Sequence, residues 1–189
     1  MKNDNEIQIY FGKECSNLYT LGYVSADLFQ LLAFCEMIDN EDFINLNKFF
    51  PSEGPRSFFL TRYSKIVTER IKGSQVSEVK NGSIEVILAS ASLAAAIIMP
   101  IVAILVEREL ARRNKTVTFN ISTSDQNLQY FLNRYKLGIY GQGIEGRNRF
   151  FEELGNNNFR VTAINQDTFD IENLTRYYTS RIAKTLHMN

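Results

Sequence analysis

At 189 residues, with 44% hydrophobic, 22% charged and 12% aromatic residues, the chain has the composition of a globular protein rather than a disordered or fibrous one. Lysine plus arginine and aspartate plus glutamate total 21 each, so no net field draws the molecule to nucleic acid, an anionic membrane or a basic partner. Two cysteines, Cys15 and Cys35, are too few and too far apart for a disulfide scaffold or a CxxC site, and they fit a reducing cytoplasm.

The length suits a single domain over residues 1–189; two lobes meeting near 114–124 is the other organisation. Met1 to Glu6 is polar and of mixed charge, without the basic-then-apolar order of a secretory signal, so export by that route is not expected. Ile7, Ile9 and Phe11 alternate with Gln8 and Tyr10 as in a strand, and a second extended piece is read at Leu18–Val24. Ser25 is placed as the N-cap of a helix whose apolar positions are Leu28, Leu31, Leu32, Cys35 and Ile38, and Glu41–Phe50 continues it until Pro51. Residues 57–71 fit strand and helix equally. Val76–Leu88 reads as a hairpin, because Asn81-Gly82 between two β-rich runs tolerates positive φ at both central turn positions.

The run from Val86 to Val106 carries no charge and is long enough to cross a bilayer. Ser90, Ser92 and Pro100 argue against a span. So does the basic group Arg108, Arg112, Arg113 and Lys115, which would hold the C-terminal side in the cytoplasm and force the preceding residues outward. A buried, Ala-rich central helix is therefore predicted, with a membrane-associated helix as the alternative. The fold class expected is α+β: one domain in which the β-hairpin packs on that central helix. Further on, Lys115–Ile121 and Phe159–Ile164 read as strands, and Ser124–Tyr135, Arg147–Leu154 and Asp170–Leu186 as helices.

The segment from Lys72 to Arg113 joins a turn at Asn81–Ile84 to an Ala-rich apolar helix that runs into Arg112-Arg113. It resembles small bacterial proteins of defence and toxin-immunity loci. The resemblance implies a cytoplasmic accessory or immunity protein that binds another protein, such as a toxin; it carries over no functional residue.

Gly141-Gln142-Gly143-Ile144-Glu145-Gly146 matches G-x-G-x-x-G, and with Leu137–Tyr140 before it and Phe159–Ile164 after it the order is that of a β-α-β dinucleotide site. Asn165 stands where the ribose-binding acid belongs, and few residues follow Asp167, so a loop between two helices is the simpler reading. His187 is the sole histidine and lies near the end, and neither cysteine has a local base, so no catalytic residue is assigned. The acidic groups Glu41-Asp42, Glu152-Glu153 and Asp167, Asp170 and Glu172 suit helix starts and solvated faces better than a metal site, and no metal or cofactor is assigned. Arg134, Lys136, Arg147 and Arg149, interleaved with Tyr130, Phe131, Tyr135 and Tyr140, form a basic and aromatic stretch, but core aromatics ringed by solvated arginines explain it without nucleic acid. A non-catalytic protein-binding protein is the leading reading, with Gly141, Gly143, Arg147 and Arg149 as the partner-binding residues. A membrane-associated accessory protein using 86–106 and a nucleotide-binding enzyme using 141–146 are the alternatives.

Overall fold

A computed structural model describes residues 5–11, 17–56, 74–80, 83–91, 93–115, 120–159 and 171–188. Side chains are described over 17–56, 93–115, 123–159 and 171–188, and there the protein is helical: six helices, with no strand over 124–159 or in the other three stretches. The expected α+β domain with a hairpin as a wall of the core is thus corrected to a helical protein. The physical reason lies in α1 (Leu18–Asp39) and α3 (Leu93–Arg112), whose apolar side chains are buried around most of the helix and are packed against other helices.

The first helix begins earlier than the Ser25 cap would place it. Asn17 is extended, and its side chain accepts from the Thr20 backbone N–H at 2.8 Å, so Leu18–Val24 is helix and not an extended piece. Helix α1 is long and apolar enough to cross a membrane by length and composition, yet most of it is buried within the fold. Asp42 caps the short α2 (Phe43–Phe49), and the chain then turns at Pro51.

The apolar run is not one helix. Its first residues belong to a strand, Ser83–Ala91, and the helix starts only at Leu93. Ala94 to Ile104 are all buried, Pro100 among them, and the Asp39 carboxylate at the end of α1 accepts from the Ala94 N–H at 3.0 Å. Helix α3 therefore has a carboxylate from α1 at its N-terminus, where the backbone leaves donors unsatisfied. Its end is closed by Asn114 in the left-handed region, with N–H groups of Arg113, Asn114 and Lys115 returning to Leu110 and Ala111.

Three amphipathic helices follow: α4 (Gln126–Lys136), α5 (Gly143–Asn156) and α6 (Ile171–His187). Asp125 caps α4 by accepting from Asn127 and Leu128. Helix α6 buries Leu174, Tyr178, Ile182 and Leu186 against α1 and α3, and Lys115 Nζ reaches the Leu186 carbonyl near its end. Beside this body the backbones of β1 (Asn5–Phe11), β2 (Ser74–Lys80), β3 (Ser83–Ala91) and β4 (Asn120–Thr123) pair antiparallel in the order β2-β3-β1-β4. It is mainly β1 and β4, rather than the β2–β3 ribbon, that lie against α3. The ambiguous residues 57–71 and most of the strand expected at 159–164 fall outside the described residues.

A candidate arginine-lined groove beside the glycine loop

Helix α4 ends in a Schellman arrangement that the sequence reading missed. Gly138 has φ +76, its N–H returns to the Tyr135 carbonyl at 3.0 Å, and the Ile139 N–H returns to Arg134 at 3.1 Å. Leu137–Tyr140, which a dinucleotide site would need as a strand, is consequently a turn, and the glycine motif joins two helices, as in the simpler reading of the sequence. Each glycine has a local structural reason. Gly141 and Gly143 sit at φ +92 and +71, which glycine adopts freely, and Gly146 lies so close to the preceding turn that a Cβ there would be 2.6 Å from the Gly141 carbonyl carbon and 3.2 Å from the Tyr140 oxygen. Because those neighbours are backbone, Gly146→Ala should cost about 1–3 kcal/mol, a fall in melting temperature of roughly 3–10 °C for a chain of this size. Thermal unfolding followed by circular dichroism checks this, and an unchanged midpoint would show that the turn is not packed so tightly.

The same loop forms one lip of a groove of ≈ 640 Å³ between α3, the start of α5, and α6. Arg108, Glu109 and Arg112 come from α3, Gly143 and Arg147 from α5, and Arg176 from α6. Arg108 and Arg112 are four apart and share a helix face. Arg108 donates to the Tyr135 and Lys136 carbonyls at the C-terminus of α4 and lies 5.0 Å from the Tyr135 ring centre. Arg147 has only 11% of its side chain exposed and is held by Thr175 Oγ1 and Glu172 Oε1, both at 3.3 Å. Arg112 is 70% exposed and 3.7 Å from Glu109, whose carboxylate is already taken by Arg113 at 2.9 Å. Arg176 is exposed and donates to Asn173; among the described residues it has no carboxylate partner. Gln142, the N-cap of α5, makes no side-chain bond to the first turn.

Of the four residues expected to bind a partner, Gly143 and Arg147 lie on this groove, Gly141 is exposed beside it, and Arg149 is exposed but does not line it. The basic and aromatic stretch comes apart in the structure. Arg134 is fixed by Glu153 at 2.7 Å and stacks over Tyr130 and Tyr140, Lys136 pairs with Glu107 at 3.2 Å, and Phe131, Tyr135 and Tyr140 are core. Burial is the largest cause that pushes the Tyr140 hydroxyl up to about 12, so that ring stays neutral at physiological pH.

A second polar cluster is internal. The buried Asp27 carboxylate on α1 meets Arg181 on α6 at 2.9 Å, Arg181 also donates to the Tyr177 hydroxyl at 3.0 Å, and the Tyr178 hydroxyl donates to Gln30 at 3.1 Å. Cys35 is buried nearby on α1, and burial pushes its thiol well above the ordinary range, which makes it a packed hydrophobe rather than a nucleophile. Among the described residues no three His, Cys, Asp or Glu side chains converge as a metal site. No family model, no curated protein and no solved structure matches the chain.

Proposed function

We propose that this is a non-catalytic protein-binding module of the immunity or defence-accessory kind, acting in the cytoplasm, and that it meets its partner at the corner between α4 and α5. One observation carries the reading. Leu137 and Ile139 in the α4–α5 turn and Ile144 in the first turn of α5 are 77%, 57% and 54% exposed, with Arg149 exposed further along α5. Leaving three large aliphatic side chains in water forgoes about 25 cal/mol for every Å² of apolar surface that a partner would cover. Apolar anchors with arginine at the margin are the usual make-up of a protein interface. The resemblance of Lys72–Arg113 to toxin-immunity proteins supports the choice of partner, a toxin.

Seven of the described carboxylates are tied into architecture, which supports a binding role over catalysis: Asp42 and Asp125 cap helices, and Asp27, Glu107, Glu109, Glu153 and Glu172 are in ion pairs. The membrane alternative, built on 86–106, has less support, since that run is divided between β3 and a helix whose apolar residues are packed inside.

The test is co-expression with a toxin encoded beside this chain's gene. The wild-type chain should protect growth and co-purify with the toxin in a fixed ratio, and Ile139→Glu should weaken the complex at least tenfold, about 1.4 kcal/mol, while melting like the wild type. Equal complex formation by wild type and Ile139→Glu removes the α4–α5 corner from the interface, and no protection by the wild type removes the toxin-binding reading itself.

A further inference from the structure

We propose that the groove between α3, α5 and α6 is a binding site for a small molecule bearing a diphosphate group. This goes beyond the protein-binding reading and does not depend on it, because the side chains that carry it, Arg112 and Arg176, lie on other helices than the α4–α5 corner.

The argument begins with charge. In a chain whose acids and bases balance at 21 each, the groove gathers four arginines and one lining carboxylate, Glu109. That charge is only partly neutralised within the fold. Glu109 is shared between Arg112 and Arg113, Arg108 is bonded to backbone carbonyls, and Arg176 is bonded to an amide; only Arg147 has a carboxylate, Glu172, that no other described ion pair uses. Bringing like charges from three helices together destabilises the free protein, and an anion between them relieves it.

Geometry narrows the anion to phosphate. A guanidinium presents paired N–H groups that match two oxygens of one phosphate, and arginines approaching from several sides suit a tetrahedral group better than a flat carboxylate. The exposed Arg112 and Arg176 hold only surface contacts with Glu109 and Asn173 that they can exchange for a ligand, whereas Arg108 and Arg147 are already positioned by Tyr135, Lys136, Thr175 and Glu172. At the Gly143 lip the first turn of α5 has no side-chain cap from Gln142, so its backbone donors add to the same field. A volume of ≈ 640 Å³ accommodates more than an inorganic ion and falls in the range, about 300–1,000 Å³, of small-molecule sites. Two phosphates in series offer oxygens to arginines that reach the groove from three helices.

Calorimetric titration of the full chain in low-salt chloride buffer, with pyrophosphate, ADP and citrate as probes, tests the proposal. Saturable binding of pyrophosphate and ADP is expected, with citrate at least tenfold weaker. Arg112→Gln/Arg176→Gln should weaken pyrophosphate at least tenfold without lowering the ligand-free melting temperature, since both side chains are exposed, and Arg149→Gln, outside the groove, should leave the affinity unchanged. No saturable binding of either phosphate compound at millimolar concentration overturns the proposal, as does an equal loss in Arg149→Gln. Citrate binding as tightly as pyrophosphate overturns the assignment to phosphate. Tight pyrophosphate with no ADP binding rejects a diphosphate carried by a larger molecule.

Discussion

Ile98→Asp is expected to abolish the folded state. Ile98 is fully buried in the middle of α3, where Ala94 to Ile104 are all buried, so the new carboxylate is cut off from water. Losing the buried aliphatic group costs about 2–5 kcal/mol. Burying an unpaired charge adds several more, against a total stability of about 5–15 kcal/mol for a domain. Loss of the cooperative melting transition, or of the chain from the soluble fraction, is the expected readout; wild-type melting would mean that this face of α3 is exposed. Ala94→Asp should be nearly as severe, because it sets a second carboxylate beside Asp39, which already binds the Ala94 N–H.

Arg181→Met should cost about 3–5 kcal/mol, because it strands the buried Asp27 carboxylate without its cation. Burial raises the Asp27 carboxyl above its ordinary 3.8, and Arg181 opposes that rise. A carboxyl with a raised folded-state pKa is bound to its proton more firmly in the folded chain, so its contribution is fully present below the unfolded value and is lost as pH rises through the folded one. Removing Arg181 takes away the opposing influence and widens this window. The melting temperature of Arg181→Met should therefore rise as the pH is lowered from neutral toward the ordinary carboxylate range, by more than the wild type changes, and Asp27→Asn in the same background should abolish the excess. A variant that loses stability in parallel with wild type on acidification would show that Asp27 is not held in a dry site.

The helices with a polar side were legible from sequence. Asp125 before Leu128, Phe131, Leu132 and Tyr135 marks α4 by cap and period, and Leu174, Tyr178, Ile182 and Leu186 mark α6. Where both sides of an element are apolar, period carries no information, and there the reading failed. Val86–Val106 read as one helix although strand gives way to helix just before Leu93, and the start of α1 was misplaced because Tyr19, Thr20, Tyr23 and Val24 favour strands and the Asn17 cap outweighed them. The glycine motif was legible as a connection between two helices, but not the close contact with Gly141 to which Gly146 answers. The groove could not be read at all. Arg108, Arg147 and Arg176 meet only through the packing of α3, α5 and α6, and nothing in their local sequence records it.

The polar cluster joining α1 to α6 also bears on how the chain folds. Arg181 and Asp27 are 154 residues apart and Tyr178 and Gln30 are 148 apart, so both contacts close a loop that spans most of the chain. Closing a loop of that length is entropically costly and returns nothing until the two helices are side by side, which favours local pieces such as the α4–α5 pair forming first. Contacts made after the rate-limiting step leave the folding rate nearly untouched and act on the unfolding rate instead. The Asp27–Arg181 pair is thus placed to work as a latch: it sets how long the native state persists once formed, rather than how quickly it is reached.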